Sequence, residues 1–472
     1  YGLGLAPVAR LQLSDPKAFD AFVGRLETAY GKKFETLNVG GQDYRRQVLG
    51  KSGAEAVLAV IGSQAVAAVL PADASESLLR QALGLDRPDQ SLRDDDRLDQ
   101  LAKDKGYQRW LVGQVDLARL LPLIGSGKDP LFAALWQAHA ESVSTQTGEP
   151  VANQLPVPAS CESDATRIAS HVPAASFGYT KLDPKHQDLR WDVALDSEAS
   201  KAFSGLKVAL PGLGAEPDAP FDLSVAFPVS QLRTYWGAQA EAVAAKPFAC
   251  PALTQLNDGF AKLGSMLQKS AVPPFSDIQG LRLAVDSLEV SDGGQAKYAG
   301  HAVLGSSNPA SLLAMAQLML PSLTSLKPAT DGKPVALPDD VSKLLGQPMS
   351  LAMTDKALAL GLGDGEDAKL RDALKADTGE AGRVLRLHLK GDTYLAWIKL
   401  MQQRAELAAM TAAPSQPGED PFARARDIGA ATARTKAQFE ALKAQAARIE
   451  EIDGEIKVED AGLVGTTRTE LK

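Results

Sequence analysis

An ordered series of short elements occurs twice in this chain, and the second series begins about 291 to 293 residues after the first. The first series opens with an alternating strand and the helix start Ser14-Asp15-Pro16, in which a polar side chain caps the helix and proline occupies its first turn. Two extended segments, a strand pair and a short helix follow, at residues 34–39, 44–49, 57–61, 65–70 and 76–83. A chain with this pattern must bury the same kind of sheet and helices twice.

Individual positions of the two series correspond. Ser307-Asn308-Pro309 matches Ser14-Asp15-Pro16, and the strands at 350–353 and 357–362 match the strand pair at 57–70. The remaining matches are Asp331-Gly332 with the turn Gly40-Gly41, and Leu370-Arg371-Asp372-Ala373-Leu374 with Leu79-Arg80-Gln81-Ala82-Leu83. This order indicates an internal duplication, although two unrelated units with the same element order are the alternative.

The patterns predict an α+β fold. Because short turns join the strands, each repeated module is expected to be a mainly antiparallel sheet with helices on one face. Four regions are predicted: residues 1–150, the first module with extra helices; residues 151–296, a middle α+β lobe; residues 297–413, the second module; and residues 414–472, a linker, a long helix and a terminal hairpin.

The long C-terminal helix is predicted from Pro421 to about Ile449, after a Pro/Gly/Ser linker at residues 414–420. Its apolar stripe is thin and nearly heptad-spaced, and consists of Ile428, Thr435, Phe439, Leu442, Ala446 and Ile449. The stripe can either dock another chain or pack across the protein's own sheet.

Composition excludes some classes of partner. Apolar residues are 45% of the chain and charged residues 23%, as in ordinary globular proteins. The formal charge of -8 argues against nucleic acid or an anionic membrane surface as the main partner, because both need a concentrated positive field. No apolar run reaches the roughly 18 residues of a membrane-spanning helix.

The two cysteines, Cys161 and Cys250, are predicted to form a disulfide. Closing a loop of this length stabilises a fold by roughly 4 to 5 kcal/mol in the chain-entropy model, and such bonds persist in oxidising compartments. Two buried thiols in a cytosolic protein are the alternative. A cysteine metal site is disfavoured because the chain has no CxxC or Cys/His cluster.

Catalytic motifs are missing from the sequence. There is no GxSxG elbow, and the histidines lack the spacing of a metal motif; they are His139, His171, His186, His301 and His388. The acidic clusters Asp94-Asp95-Asp96 and Asp364-Gly365-Glu366-Asp367 depart from EF-hand spacing and fit helix starts better. We therefore predict no catalytic, cofactor or metal site, while ligands that converge from distant positions stay open.

The chain resembles uncharacterised bacterial envelope proteins, often lipid-anchored, in which a strand, an Asp-Pro helix start and paired strands recur in both halves. The resemblance rests on Ser14-Asp15-Pro16, the strand pair at 57–70, and Ser91-Leu92 leading into residues 107–117. It implies an exported, periplasmic or outer-envelope location and nothing about activity. The first residue, Tyr1, fits removal of a leader, although a shortened chain would look the same.

These observations predict a non-enzymatic envelope protein that binds or scaffolds another macromolecule. The alternative is a periplasmic carrier of a lipid or other apolar ligand, in a cavity lined by residues such as Phe19, Phe22, Leu312 and Met319. An enzyme with a dispersed site is a third hypothesis. A large apolar cavity would favour the carrier, exposed apolar stripes would favour the scaffold, and buried carboxylates that converge with a histidine would favour the enzyme.

Overall fold

The computed structural model describes residues 1–87, 96–147, 157–217, 219–269, 272–290, 296–411 and 421–472. Ser91-Leu92, residues 94–95 of the first acidic cluster and the predicted linker at 414–420 lie outside these ranges. The chain divides into two compact units. Unit 1 contains residues 1–101, 114–175 and 247–257, and unit 2 contains residues 102–113, 176–246 and 258–472. Residues 151–296, predicted as one lobe, therefore contribute to both units.

The described elements confirm a mixed α+β fold with antiparallel sheets and a long C-terminal helix. The strands are β1 (Gly2–Leu3), β2 (Ala6–Gln12), β3 (Glu35–Val39), β4 (Gln42–Val48), β5 (Ala54–Ile61), β6 (Gln64–Pro71), β7 (Val112–Asp116), β8 (Ala174–Leu182), β9 (His186–Ala194), β10 (Phe221–Ala226), β11 (Ile278–Val290), β12 (Ala296–Ser306), β13 (Val335–Ala336), β14 (Met349–Met353), β15 (Ala357–Leu362), β16 (Arg383–Lys390), β17 (Ile449–Glu459) and β18 (Gly462–Leu471). The helices are α1 (Pro16–Tyr30), α2 (Glu76–Leu83), α3 (Arg97–Lys105), α4 (Leu117–Gly125), α5 (Pro130–Thr147), α6 (Ala159–His171), α7 (Ser197–Ser204), α8 (Val229–Ala245), α9 (Thr254–Lys269), α10 (Pro309–Met319), α11 (Asp339–Leu345), α12 (Glu366–Lys375), α13 (Gly391–Thr411) and α14 (Pro421–Ala446).

Two sheets organise the described residues. The first sheet, in unit 1, has the order β1-β2-β6-β5-β4-β3. The second sheet has the order β13-β14-β15-β12-β11-β10-β16-β17-β18-β9-β8-β7, and the chain passes from unit 2 to unit 1 within its edge strand β7. In the first sheet, Val57 and Val66 are fully buried and pack with Leu83 of α2. The alternation of apolar residues along these strands therefore builds the core.

The two modules share the same strand pairing. In the first module β2 pairs with β6 and β6 pairs with β5, and in the second module β12 pairs with β15 and β15 pairs with β14. The register is also the same, because all five residue pairs between β2 and β6, and five of the eight between β5 and β6, recur 293 residues later. The corresponding positions are Val8 and His301, Ala68 and Gly361, and Val57 and Ser350. This pairing supports the predicted duplication.

The helix starts of the modules also correspond. Asp15 caps α1 by accepting a hydrogen bond from the Lys17 backbone N–H, and Asn308 caps α10 by accepting one from the Ser311 backbone N–H. The match of Asp331-Gly332 to the Gly40-Gly41 turn is wrong. Gly40-Gly41 joins β3 to β4, whereas the second module has the short strand β13 and helix α11 before β14.

The helices of the second module differ from the expected one-sided arrangement. Helix α12 packs on the face that carries Ala352 and Ala359, and α10 packs on the opposite face with Leu351 and Leu360. Both faces of these strands are apolar, so both have to be covered. The prediction of helices on one face did not include this second covered face.

A second recurring order runs through the chain: one strand, two or three helices, and a hairpin. It occurs as β7-α4-α5-α6-β8-β9, as β10-α8-α9-β11-β12 and as β16-α13-α14-β17-β18. In each case the first strand lies beside the first strand of the hairpin in the second sheet. This order was not found from the sequence, because the helices between the strands differ in length and composition.

The C-terminal elements agree with the prediction in outline. Helix α14 ends at Ala446 and packs against α13, and β17 and β18 form the terminal hairpin. In the stripe, Ala446 is buried, Phe439 is half-buried, and Thr435 and Leu442 are exposed. The side chain of Ile428 lies outside the described residues. The stripe is thus only partly covered by the protein itself.

A buried ion cluster lies at the centre of the second sheet. Asp222 of β10 accepts hydrogen bonds from Arg282 of β11, at 2.7 and 3.0 Å, and its Oδ1 is 2.7 Å from the guanidinium of Arg386 on β16. Burial by itself would raise the pKa of Asp222, but the two arginines outweigh this effect and hold its pKa below the ordinary value. The cluster therefore joins three neighbouring strands.

Replacing Asp222 with asparagine is expected to lower the free energy of unfolding by about 3 to 5 kcal/mol, because two buried guanidinium groups lose their counter-charge. Urea denaturation followed by circular dichroism measures this change. The control Glu440→Gln removes an exposed ion pair of α14 and is expected to cost less than about 1 kcal/mol. Equal losses in the two variants would contradict the assigned role.

The acid stability of unit 2 should depend on Asp192. Its carboxylate accepts hydrogen bonds from Lys105, Tyr107 and Arg190 at 2.7 to 3.0 Å. Burial opposes ionisation, but these donors lower its pKa to about 2. Because the unfolded pKa is about 3.9, the stabilisation is complete above roughly pH 5 and is lost as the pH falls toward 2.

The Asp192→Asn variant should therefore be less stable than the wild type at pH 6, by about 2 kcal/mol, and the difference should shrink as the pH falls. Urea midpoints measured between pH 2 and pH 6 test this. A difference that stays constant across the range would show that the carboxylate contributes no pH-dependent stability.

Candidate functional site

Helices α4 and α6 of unit 1 approach each other closely at Gly125. A Cβ atom on Gly125 would lie 2.6 Å from the carbonyl oxygen of Cys161 and 2.7 Å from Cβ of Ala165. Only glycine fits such a distance without a shift of the backbone. Asp116 begins α4 by accepting a hydrogen bond from the Arg119 backbone N–H. The sequence of α4 therefore brings an apolar helix directly against α6.

A short segment, residues 248–253, is fastened to α6, and we call it the clasp. The predicted disulfide between Cys161 and Cys250 is present, with the Cα atoms 4.4 Å apart. Oδ2 of buried Asp164 accepts hydrogen bonds from the backbone N–H groups of Ala249, at 2.7 Å, and Cys250, at 2.8 Å. These charge-assisted bonds satisfy the carboxylate and the segment's backbone together.

Two further contacts hold the clasp at Phe248. The guanidinium of Arg167 lies 4.0 Å from the centre of the Phe248 ring. Asn257 accepts a hydrogen bond from the Phe248 N–H and donates one to its carbonyl oxygen, at 2.9 and 3.0 Å. The disulfide is thus one of several contacts that position the segment.

A cavity of 190 Å³ lies between the clasp and helices α4, α5 and α6. Phe132 and Trp136 stack on one wall, with ring centres 5.9 Å apart. Other apolar walls come from Leu121, Ile124, Ile168 and Leu253. Apart from the two bonded cysteines, none of the described residues that line it has a titratable side chain.

The chemistry of this cavity is limited to apolar contact. A dry cavity of about 150 Å³ lined by Leu, Ile and Phe can hold benzene, so this one has room for one aromatic ring or a short alkyl chain. It offers no group for proton transfer or nucleophilic attack. Its described lining is suited to holding an apolar group.

The residues predicted to line a ligand cavity do not do so together. Phe22 is 46% exposed and Met319 is 75% exposed, whereas Leu312 is buried in its helix interface. Phe19 lines a different cavity in unit 1, of 230 Å³. The prediction fails for Phe22 and Met319, because Val23, Leu312 and Leu313 take the buried positions of α1 and α10. The 190 Å³ cavity is instead lined in part by α4 and α5, which were predicted only as extra helices of the first module.

Unit 2 contains a larger polar cleft of 600 Å³ on the second sheet. Its charges are mixed in sign and close to one another. His388 lies 2.8 Å from Asp453, Arg383 lies 2.8 Å from Glu455, and Arg468 lies 3.8 Å from Asp188. Because opposite charges face each other across the cleft, it presents no concentrated field of one sign to a ligand.

Three of the scattered histidines lie beside carboxylates. His186 is within 2.9 Å of Asp183, His388 faces Asp453, and His301 lies near Glu366. Helix α12 begins at Glu366, as the acidic cluster at 364–367 predicted. The burial of Glu366 was missed. The available signal was His301, which stands on an otherwise apolar strand at the position that Val8 occupies in the first module.

The chain matches no known protein family, and no curated protein or solved structure is significantly similar to it. Among the described residues, no helix combines the length and the apolar composition needed to cross a bilayer. A disulfide is compatible with an exported protein. The site therefore has to be interpreted from its own geometry.

Replacing both Cys161 and Cys250 with alanine should lower the free energy of unfolding by about 4 to 5 kcal/mol, because the unfolded chain regains the freedom of an 89-residue loop. Thermal unfolding with and without a reductant measures this. The wild type should lose stability on reduction, and the variant should be indifferent to it. A wild type whose stability ignores complete reduction would contradict the role of the bond.

Proposed function

We propose that this protein is an exported, non-enzymatic binding protein whose unit 1 takes up a small apolar ligand, or the apolar group of a larger one. The observation that carries the proposal is the 190 Å³ cavity with its almost wholly apolar wall. Concave apolar sites of this kind are the usual place for ligand binding. The closed disulfide supports an oxidising compartment.

The size of the cavity sets the ligand class. At 190 Å³ it fits one ring or a short chain and is too small for a whole lipid. Burial of that group would contribute roughly 25 cal/mol per Å² of apolar area removed from water. The ligand of the predicted apolar-ligand carrier is thus narrowed to one short apolar group.

Titration of the purified chain with a series of n-alkanols and with indole tests the proposal by calorimetry. Binding should strengthen with chain length until the cavity is full and then stop improving. The variant Leu121→Phe narrows the cavity and should weaken binding at least about tenfold, since each lost 1.4 kcal/mol is a factor of ten.

The matched control is Leu318→Phe, the same substitution at a residue that is 84% exposed in unit 2. It should bind the probes as the wild type does. Failure of every probe to bind the wild type at millimolar concentration, or equal loss in both variants, would count against the cavity as a binding site.

A second candidate function is the docking of a helix from a partner protein on the second sheet. Leu281 and Leu283 of β11 are 39% and 40% exposed. They lie on the face of the sheet against which α10 packs at one side and α13 at the other. Helix α13 also contacts β11 itself, so the open apolar surface is the part of the strand that these two leucines mark.

Native mass spectrometry of protein purified from its own source separates the two candidates. A mass excess of a small molecule that Leu121→Phe abolishes would support the ligand, and a bound protein that Leu283→Lys releases would support docking. A bare wild-type chain would contradict both for the purified state. The exposed lysine should leave the free energy of unfolding nearly unchanged.

A further inference from the structure

A buried polar cluster in unit 2 interrupts the core of the second module. It consists of Asp286 on β11, His301 on β12 and Glu366, the first residue of α12. Asp286 is the extra residue of a β-bulge between Val285 and Ser287 in the pairing of β11 with β12. Bulges redirect side chains, and this one brings the carboxylate to His301.

The distances in the cluster match those between metal ligands. Nδ1 of His301 lies 3.5 Å from Oε2 of Glu366 and 3.8 Å from Oδ2 of Asp286. A tetrahedral ion with bonds of about 2.0 to 2.2 Å separates neighbouring ligand atoms by about 3.3 Å. The ligand atoms of all three residues lie within 4.8 Å of one another, so a modest contraction would place them around one ion.

Of the carboxylate oxygens of Asp286 and Glu366, one on each residue faces Lys369 and the other faces the inside of the cluster. Lys369 lies outside the cluster, with Nζ 2.7 Å from Oδ1 of Asp286 and 3.3 Å from Oε1 of Glu366. The inner oxygens, Oδ2 of Asp286 and Oε2 of Glu366, accept no hydrogen bond from a described residue. Buried carboxylate oxygens without a donor are costly, and they point to the position of a cation.

Burial makes the charge imbalance more severe. The side chains of His301 and Glu366 are 1% and 3% exposed, and that of Asp286 is 12% exposed. Lys369 brings one positive charge to two carboxylates here. One lysine thus does not neutralise two buried carboxylates.

The duplication provides an independent comparison. The position of His301 is occupied by Val8 in the first module, where the side chain is 4% exposed and packs in the apolar core. Gly361 replaces Ala68, and a Cβ on Gly361 would lie 3.2 Å from Cβ of Glu366. The fold itself therefore does not require a histidine here, and the glycine makes room for the carboxylate.

We propose that Asp286, His301 and Glu366 bind a divalent transition-metal ion, for which Zn²⁺ is the natural probe. One imidazole nitrogen and two carboxylate oxygens form a ligand set that Zn²⁺ accepts, with a water molecule as the fourth ligand. Because the ligands are almost fully buried, the ion has a structural role. It fastens α12 to the bulged strand β11 and to β12.

The test uses the full, untagged chain after dialysis against EDTA. Zn²⁺ titration by calorimetry should give one ion per chain, and the melting temperature should rise with Zn²⁺ concentration. Co²⁺ should give the visible absorption of a low-symmetry nitrogen and oxygen site. Absence of both Zn²⁺ binding and the Co²⁺ spectrum would overturn the proposal and leave a proton shared by the two carboxyl groups as the explanation of the cluster.

Substitutions of the proposed ligands test whether the ion binds at this cluster. His301→Val introduces the residue of the first module, so it should fold, and it should weaken Zn²⁺ binding by on the order of 100-fold or more. Glu366→Gln keeps the shape of the side chain and should also lose the ion. The control His186→Asn removes a histidine elsewhere in unit 2 and should bind as the wild type does. Wild-type affinity in both cluster variants would place any bound ion elsewhere and overturn the proposal.

Lys369→Gln gives a readout that a purely packing role would not change. Removing this ammonium group leaves the two carboxylates more negative, so Zn²⁺ should bind more tightly than in the wild type. Weaker binding in this variant would contradict the division of the oxygens between lysine and metal.

Discussion

The second sheet depends on the pairing of Asp222 with Arg282 and Arg386. Strand β10 lies between β11 and β16, which are more than 90 residues apart in the chain, and the three side chains meet with almost no exposure. Arg386 also donates to the carbonyl oxygen of Gly212 at 2.9 Å, which brings a covering loop onto this face. A Cβ on Gly212 would lie 2.4 Å from Cδ of Arg282, so glycine allows the loop to close over the cluster.

The buried carboxylates of this molecule differ in whether hydrogen-bond donors surround them. Asp222 and Asp164 each accept close hydrogen bonds, from guanidinium groups in one case and backbone N–H groups in the other. Such satisfied groups stabilise specific contacts. The inner oxygens of Asp286 and Glu366 accept no hydrogen bond from a described residue, and their convergence on His301 marks this cluster as a proposed ion site.

The duplicated modules show how one topology carries two different cores. Both have the same pairing and register, but Val8, Val57 and Ala68 of the first become His301, Ser350 and Gly361 in the second. The core cluster of the first consists of apolar side chains and the ring of Tyr44. The second keeps its apolar face under α10 and gains a polar cluster beneath α12, so the proposed ion would replace packing energy that the apolar residues supply in the first module.

The sequence by itself determined the local features: helix starts at Asp15 and Asn308, the terminal hairpin, and the antiparallel pairs within each module, because caps and turns act between near neighbours. The disulfide followed from there being two cysteines. The apolar cavity and the clusters around Asp222 and Glu366 were decided only by the tertiary structure. Their members come from separate strands and helices, and periodicity tells which residues are buried without telling which distant residue each one meets.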